Sequence, residues 1–242
     1  MKIATYNMQH DRKGKSNWTK MLDEVDPDIL LAQESLAPRE YQRPLIEVSW
    51  EEHVNWEPVV AGWGSAVYVK AGQHHPLTLP SYRGWVVGVE IDDFRLGDTS
   101  SKLRVFSIHA PTAKESYQRA VNSILDMIRE ERGGCDIVIG GDFNLTISEP
   151  GEGDQVEVKK PDLAIQARLR DEFGLINCWR AANPDADLVQ TLRWDRNPEA
   201  TYHCDGLFVP AAWATRLTSC DVLADDEWTA ISDHNPVVAE FS

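Results

Sequence analysis

The sequence lacks any long hydrophobic run. A membrane-spanning helix needs about 20 consecutive apolar residues, and no apolar stretch in these 242 residues approaches that length. The segment from Met1 to Asn7 resembles an alternating strand and has no apolar core of the kind found in signal peptides. We therefore expect a cytoplasmic protein, although a secreted chain whose leader had been removed would look the same.

Cysteine is also scarce. The chain has four cysteines, with no C-x-x-C spacing and too low a density for a disulfide framework. Each of them has apolar or strand-like neighbours. The cysteines that we expect to be reduced core residues are Cys135, Cys178, Cys204 and Cys220.

Basic residues are outnumbered by acidic ones. The chain has 24 lysines and arginines against 39 aspartates and glutamates, which gives a net charge of −15. Broad, sequence-independent binding of nucleic acid depends on basic side chains that face phosphates, so this balance argues against it. A phosphate substrate remains compatible with the charge if a divalent cation neutralises clustered carboxylates. The composition therefore predicts metal dependence for any phosphate chemistry.

The remaining composition is that of an ordinary globular protein. With 42% hydrophobic and 26% charged residues, the chain has enough apolar side chains for one large core. The sequence shows no internal repeat, no low-complexity tract and no linker that would divide it. We expect a single domain over residues 1–242. We also expect the protein to be a monomer.

The first 34 residues have the pattern of a β-α-β unit. A strand over Lys2–Met8 precedes a short helix, for which Ser16 is a candidate N-cap and Pro27 the stop. The apolar run from Ile29 then resembles a strand buried on both faces. Residues 35–64 show no regular pattern and are expected to be irregular.

Further along, short strands alternate with two helices. The first helix, over 114–132, is predicted from helical spacing of apolar residues and from a capping box formed by Thr112 and Glu115. The second helix is expected over 161–173, after a surface loop at 148–162. Strands are expected at 66–70, 85–91, 103–108, 136–144, 202–209, 217–223 and 236–241. This order favours an α+β domain in which two sheets are covered by helices.

The stretch Gly140-Gly141-Asp142-Phe-Asn144 follows one of these apolar runs. Glycines permit a sharp turn or a close approach to a ligand. The alternation of a strand would then place Asp142 and Asn144 on the same side. A carboxylate and a carboxamide together suit a phosphate or a hard metal ion, although the same residue types are also ordinary turn formers.

Polar residues follow the predicted strands along the whole chain. If the strands end at a common edge, these side chains meet in one pocket. Glu34, Asp233 and Asn7 offer the oxygen ligands that Mg²⁺ or Mn²⁺ prefers, and two histidines suit proton transfer. A zinc site is an alternative that no H-x-x-x-H motif or cysteine pair supports. The full set is Asn7, Glu34, His109, Asp142, Asn144, Asp205, Asp233 and His234.

Six short motifs in order carry a resemblance to a known family. They are Thr-Tyr-Asn7, Ala-Gln33-Glu34, Ser-Ile-His109-Ala-Pro, Gly-Gly-Asp142-Phe-Asn144, Tyr-His-Cys-Asp205-Gly and Ser232-Asp233-His234-Asn-Pro-Val. Together they resemble the endonuclease/exonuclease/phosphatase superfamily, which includes deoxyribonucleases, abasic-site endonucleases of the exonuclease III type, neutral sphingomyelinases and inositol polyphosphate 5-phosphatases. The similarity extends over residues 3–241.

The resemblance implies a deoxyribonuclease-like, four-layer α/β sandwich of two packed mixed sheets flanked by helices. It also implies Mg²⁺-dependent attack of water on a phosphoester, with Glu34 as the principal metal ligand and Asn7 and Asp233 near the ion. Asp142 would orient or deprotonate the water, and Asn144 would hold the phosphate. His234 would contact the scissile phosphate and be oriented by Asp205. His109 matches a second histidine of the deoxyribonuclease and sphingomyelinase branches, which argues against an abasic-site enzyme.

Three functions follow as hypotheses. The first is a nuclease that hydrolyses DNA; the second is a phosphoesterase acting on a small phosphorylated metabolite or a phospholipid headgroup; the third is a binding module without turnover. Basic residues could contact additional phosphates, and tryptophans could stack on bases, but both classes are more often surface or packing residues. The residues concerned are Arg12, Lys13, Lys15, Arg193, Arg196, Trp50, Trp56, Trp63 and Trp194.

Overall fold

The computed structural model describes residues 1–11, 17–37, 50–60, 62–97, 99–111, 116–152, 154, 156–197 and 199–242. Within these residues, twelve strands form two six-stranded sheets. The strands are β1 (Lys2–Asn7), β2 (Ile29–Ser35), β3 (Val54–Val60), β4 (Trp63–Val69), β5 (His74–Pro76), β6 (Val86–Leu96), β7 (Thr99–His109), β8 (Asp136–Asp142), β9 (Leu175–Asn177), β10 (Asp205–Pro210), β11 (Leu217–Val222) and β12 (Val237–Phe241).

Helices connect the strands and cover the sheets. A π-helix over Met21–Val25 continues the first α-helix, and short 3-10 segments occupy Gln9–Asp11 and Ala211–Arg216. The α-helices are α1 (Asn17–Lys20), α2 (Trp50–His53), α3 (Tyr117–Glu131), α4 (Lys160–Asp171), α5 (Cys178–Ala182) and α6 (Asp226–Thr229).

Each sheet contains one parallel pair of strands among antiparallel neighbours. The first sheet has the order β11-β12-β1-β2-β4-β3, and the second has the order β5-β6-β7-β8-β10-β9. In the first sheet β1 is parallel to β2, and in the second β7 is parallel to β8. The predicted β-α-β unit at the N-terminus is therefore confirmed, and α3 makes the equivalent crossover in the second sheet.

The core lies between the two sheets. Leu31 and Val67 of the first sheet share one apolar cluster with Val105, Val138 and Leu207 of the second, and all five are buried. A second cluster packs α3 and α4 on the outer face of the second sheet, and a third packs Trp18 and Met21 on the outer face of the first. The layers are thus helix, sheet, sheet and helix, which confirms the predicted four-layer sandwich. That residues 1–242 form a single domain stays a prediction.

The expectation of irregular structure at residues 35–64 was wrong from residue 50 onward, while residues 38–49 lie outside the described part of the chain. Strand β3 lies within that stretch and β4 begins at Trp63. Pro58 obscured the strand pattern because proline removes a hydrogen-bond donor and is found in edge strands. The position fits this rule, since β3 is the outermost strand of its sheet.

The helix predicted over 114–132 is α3, and its start differs from the prediction. Ser116 is the N-cap, and its side chain accepts a hydrogen bond from the backbone N–H of Arg119. The residues of the predicted capping box, Thr112 and Glu115, lie outside the described residues, as do Arg12, Lys13, Lys15 and Ser16. The predicted helix over 161–173 corresponds to α4.

Gly140 and Gly141 do not form the expected turn. Both lie inside β8, paired with β7 and β10. A Cβ on Gly141, which has a φ of +148°, would lie 1.8 Å from the carbonyl oxygen of Ile108, and one on Gly140 would lie 2.7 Å from a methyl of Leu31. The glycines therefore permit close packing of strands and sheets at this point.

None of the helices in the described part of the chain is long and apolar enough to cross a membrane. All four cysteines are free thiols. Cys178, Cys204 and Cys220 are buried, as predicted, whereas Cys135 is partly exposed.

Candidate functional site

The strand ends bring the predicted polar residues to one edge of the two sheets. Asn7 is the last residue of β1, and Glu34 is the penultimate residue of the parallel strand β2. In the second sheet, the last residues of the parallel strands β7 and β8 are His109 and Asp142, which are register partners. The antiparallel strand β10 begins directly opposite, with Asp205 paired to Asp142. Parallel strands that end together thus gather the side chains, as the sequence predicted.

Glu34 lies between two imidazoles. Its Oε2 is 2.8 Å from Nε2 of His10, and its Oε1 is 3.5 Å from Nε2 of His109. Burial alone would raise the pKa of this carboxyl group. The contact with His10 and the charges of His109, His10 and His234 outweigh burial and lower the pKa to about 2. Glu34 is therefore an anion at all physiological pH values.

His10 was missed in the sequence. It follows β1 in a left-handed backbone conformation, with a φ of 55°, and its ring stacks on Trp63 with 4.5 Å between the ring centroids. The preceding residue, Gln9, donates its backbone N–H to Oδ1 of Asn7 over 3.1 Å. A polar residue three positions after a strand-end asparagine fits the pattern used for the other candidates, and this signal could have identified His10.

Asp142 is a buried carboxylate surrounded by donors. Its Oδ2 accepts a hydrogen bond from Nδ2 of Asn7 at 3.0 Å, and its Oδ1 accepts one from the backbone N–H of Asn144 at 2.9 Å. Burial raises the pKa of Asp142, and the positive charges of His234 and His109 only partly oppose this shift. The carboxylate is thus closer to a proton-accepting range than an exposed aspartate.

Asn144 lies on the same side as Asp142, as predicted, but without regular strand geometry. It has a left-handed φ of 54°, and its Nδ2 donates to the carbonyl of Ala110 at 3.1 Å and to Oδ2 of Asp142 at 3.3 Å. Phe143 points the other way into the apolar cluster beneath α3. The amide of Asn144 is consequently fixed beside the carboxylate.

Asp205 and His234 form a buried pair. Oδ2 of Asp205 lies 2.9 Å from Nδ1 of His234, and Nε2 of the same ring lies 3.7 Å from Oδ2 of Asp142. Burial would lower the pKa of His234. The charges of Asp205 and Asp142 and the hydrogen bond to Asp205 instead raise it to about 10. The ring is a cation at neutral pH that faces Asp142.

Two hydroxyl groups hold this pair in place. Oγ1 of Thr191 accepts the backbone N–H of Asp205 at 3.0 Å. Oγ of Ser232 accepts the backbone N–H of His234 at 3.1 Å and donates to the carbonyl of Asn7 at 2.8 Å. The hydroxyl of Ser232 therefore connects the end of β1 to the histidine.

His109 is a buried imidazole packed against tryptophan rings. Its ring centroid lies 5.0 Å from that of Trp85 and 5.8 Å from that of Trp63. Burial lowers the pKa of His109, despite the opposing charges of Asp142 and Glu34. Nδ1 is buried and has no hydrogen-bond partner among the described residues.

Asp233 joins the group through its backbone. Its N–H donates to Oε1 of Gln9 at 3.2 Å, and its carbonyl accepts the N–H of Arg193 at 2.8 Å. The guanidinium of Arg193 donates to Asn235 and to the carbonyl of Ser232. Arg193 thus holds the segment that carries Asp233 and His234 in place.

The carboxylate oxygens suit a metal ion. One atom each from Asp142, Asp205 and His234 lie within 4.8 Å of one another, but an imidazolium has no free lone pair, so the two carboxylates are the donors while His234 is charged. Oδ1 of Asp205 is buried and has no hydrogen-bond partner among the described residues, so a lone pair is available there. This set differs from the predicted ligands Asn7, Glu34 and Asp233, whose role in metal binding stays a prediction. Both sets provide the oxygen atoms that hard cations prefer.

A cleft of about 720 Å³ lies next to Asn144. Trp194, whose side chain is 45% exposed, and Tyr202 contribute aromatic surface. The charged residues of its wall are Glu157, Lys159, Asp162 and Glu199. The other tryptophans predicted as possible stacking residues differ from Trp194, since Trp56 donates to the carbonyl of Ser35 at 3.2 Å and Trp63 packs on His10. The side chain of Trp50 lies outside the described residues.

Solved structures with the same fold cover the whole chain. A variant of the 3′ phosphatase NExo from Neisseria, bound to a product DNA hairpin, is 20% identical with a TM-score of 0.73, covering 100% of this chain and 99% of that one. An AP endonuclease from Archaeoglobus fulgidus is 19% identical with a TM-score of 0.71 and the same coverage. The catalytic domain of Xenopus laevis APE2 is 16% identical with a TM-score of 0.74, covering 100% and 91%. At these identities the likeness shows the fold.

The comparison with curated proteins gives no match. A family model described as the Endonuclease/Exonuclease/phosphatase family matches residues 4–234. This range includes all the strand-end residues assembled at the site. The chain therefore belongs to the endonuclease/exonuclease/phosphatase family.

Proposed function

We propose that this protein is a metal-dependent phosphodiesterase that hydrolyses DNA, acting as an endonuclease and as a cytoplasmic monomer. The observation that supports this proposal most directly is the buried pair of Asp205 and His234. Oδ2 of Asp205 lies 2.9 Å from Nδ1 of His234, and Nε2 of the same ring lies 3.7 Å from Oδ2 of Asp142. A carboxylate, a charged imidazole and a fixed amide that lie close together can assist the attack of water on phosphorus, by accepting its proton and by stabilising charge on the phosphoryl oxygens.

Each residue has a role that its surroundings support. Asp142 accepts a proton from the attacking water, because burial has raised its pKa. His234 donates from Nε2 to a phosphoryl oxygen and balances its charge, while Asp205 holds the ring in position through Nδ1. Asn144 offers its amide to the phosphate. Nε2 of His109 lies 3.5 Å from Oε1 of Glu34 and 3.8 Å from Oδ2 of Asp142, near both the proposed metal ligand and the proposed base.

Glu34 is the proposed principal metal ligand, with Asn7 and Asp233 beside it. When bound, Mg²⁺ or Mn²⁺ would neutralise phosphate charge and lower the pKa of a coordinated water. The ionised state of Glu34, whose pKa is about 2, suits this role. Asn7 also donates to Asp142, so it links the proposed ligand group to the proposed base.

The choice of DNA as substrate rests on relatives. A 3′ phosphatase with the same fold is seen with a product DNA hairpin, and another structural neighbour is an AP endonuclease. A second candidate is a small phosphoester or a phospholipid headgroup. It is favoured by the cleft beside Asn144, because Glu157, Asp162 and Glu199 would repel a further phosphate of a polynucleotide.

Plasmid nicking tests the first candidate. We expect supercoiled DNA to be nicked with Mg²⁺ or Mn²⁺ and to stay intact with EDTA. Glu34→Ala and His234→Ala should abolish nicking, whereas His75→Ala, in an exposed histidine–carboxylate pair of 3.1 Å, should not change it. Nicking by both site variants would overturn the assignment.

The same preparations distinguish the alternatives. Hydrolysis of bis-p-nitrophenyl phosphate with the plasmid left intact would select the small phosphoester. A folded protein that is inactive in both assays with either metal would favour a binding module.

A further inference from the structure

We propose that His10 is a positioning residue for Glu34, and that it fixes the carboxylate in the orientation needed for binding a divalent cation. This inference rests on the proposed role of Glu34 as the principal metal ligand. Nε2 of His10 lies 2.8 Å from Oε2 of Glu34. Oε1 is 3.5 Å from Nε2 of His109, beyond the usual length of a hydrogen bond, and is the oxygen that we assign to the cation.

The backbone on both sides of this contact is held in a sparsely populated conformation. Gln9, His10 and Glu34 have φ values of 47°, 55° and 46°. Non-glycine residues adopt this region at a cost, and they keep it when the surrounding structure requires it. A register shift between β2 and β4 accompanies Glu34. The left-handed turn after β1 and the end of β2 thus turn the two side chains towards each other.

Hydrogen bonds fix the turn that carries His10. The N–H of Met8 donates to the carbonyl of Gln33 at 2.8 Å, next to Glu34 in the chain. Gln9 contacts both other proposed ligands, through its N–H to Oδ1 of Asn7 and through its Oε1 to the N–H of Asp233. The same turn therefore reaches all three proposed ligands.

Trp63 supports the ring of His10 from the side. The two rings are nearly parallel, with 29° between their planes and 4.5 Å between their centroids. Trp63 also packs against Trp85 and His109. Stacking restricts the rotation of the imidazole, so Nε2 stays next to Oε2 of Glu34.

Direct measurement of Mn²⁺ affinity tests this role without relying on activity. Partners that orient a metal-binding carboxylate typically contribute about 10-fold to 100-fold in metal affinity. In titrations followed by electron paramagnetic resonance, His10→Ala should weaken Mn²⁺ binding by about 10-fold or more. His10→Gln should recover part of the loss, because its amide places a donor near the position of Nε2.

The controls separate failure of this inference from failure of the proposed function. His75→Ala removes a histidine from a comparable carboxylate pair with Asp92 and should bind Mn²⁺ as the wild type does. If wild type and Glu34→Gln bind Mn²⁺ equally, the metal role of Glu34 is wrong. If Glu34→Gln weakens binding but His10→Ala binds as tightly as wild type, or more tightly, only the role of His10 is overturned.

A double variant tests the part played by Trp63. If Trp63 acts through His10, Trp63→Ala alone should weaken Mn²⁺ binding, and adding it to His10→Ala should cause little further loss. Losses that add in full would show that Trp63 does not act through the histidine. Thermal unfolding of each variant verifies that the fold is intact.

Discussion

The two sheets each contribute a carboxylate flanked by histidines, and the two carboxylates behave in opposite ways. Glu34, at the end of the first sheet, has a side chain that is 20% exposed and a pKa lowered to about 2. Asp142, at the end of the second sheet, has a side chain that is 2% exposed and a raised pKa. These opposite shifts agree with the proposed roles of Glu34 in holding a cation and of Asp142 in accepting a proton.

Partners, rather than burial alone, decide the direction of each shift. His234 and His203 are both buried, yet the pKa of His234 rises to about 10 and that of His203 falls to about 4. Burial lowers both. His234 has two carboxylates beside it. For His203, the hydrogen bond from Nδ1 to the carbonyl of Val189 is too weak to outweigh burial, and the charge of Arg180 lowers the pKa further. The difference shows that interactions between charges hold Asp142, Asp205 and His234 together. Removing one charged side chain at a time should therefore reveal what each contributes.

Removing the proposed proton acceptor, Asp142, should have the largest effect. Asp142→Asn keeps the shape of the side chain and an oxygen for the amide of Asn7, but it cannot take a proton from water. We expect the turnover rate on bis-p-nitrophenyl phosphate with saturating Mn²⁺ to fall by about 10²-fold to 10⁴-fold. A loss of less than about 10-fold would show that Asp142 is not the general base.

Removing the partner of His234 should have the next largest effect. Burial lowers the pKa of His234, and the charges of Asp205 and Asp142 raise it. Asp205→Asn removes the first of these charges, so the pKa of His234 should fall from about 10. The rate should fall by about 10²-fold. Nuclear magnetic resonance titration of the histidine side chains measures the shift directly. An unchanged pKa with an unchanged rate would remove Asp205 from the proposed machinery.

Much of the site could be predicted because it depends on strand ends. Asn7, Glu34, His109 and Asp142 each follow or end an apolar run in the sequence, and the edge of a sheet brings such positions together. Two sheets covered by helices followed from the same runs, because local periodicity is contained in a single sequence. The four-layer sandwich was implied by the resemblance to the family.

The remainder depends on long-range geometry. The contact between His10 and Glu34 requires left-handed backbone at both residues, and neither is a glycine that would have marked the position. Strand β3 was missed because it is an edge strand with a proline and polar neighbours, so its partner β4 decides its conformation. The role of Gly141 likewise depends on the carbonyl of Ile108 in a neighbouring strand.

The contrast between His203 and His234 predicts how stability depends on pH. Since burial lowers the pKa of His203 from 6.5 to about 4, the unfolded chain takes up the proton first as the pH falls. This contribution to stability is complete above the unfolded value and is lost as the pH falls towards the folded one. Between about pH 7 and about pH 5 it should remove about 2 kcal/mol from the free energy of unfolding.

His203→Asn tests this contribution. The asparagine amide places a donor near the position of Nδ1, which contacts the carbonyl of Val189, but it does not titrate. Urea unfolding at the two pH values should show a smaller acid-induced loss in the variant than in the wild type. Equal losses in both proteins would mean that His203 does not titrate as its burial requires.

The smallest expected effect concerns the hydroxyl of Ser232, which connects Asn7 at the end of β1 to His234. Ser232 is buried, and its Oγ bonds both the carbonyl of Asn7 and the N–H of His234, so Ser232→Ala removes two hydrogen bonds. We expect the free energy of unfolding to fall by about 1–2 kcal/mol. The exposed Ser123 on α3 is a matched control, since its replacement by alanine should change stability by less than about 0.5 kcal/mol. If Ser232→Ala is no more destabilising than Ser123→Ala, the link through Ser232 is not needed to hold Asn7 and His234 in place. The carboxylates and the strands that carry them would then be sufficient.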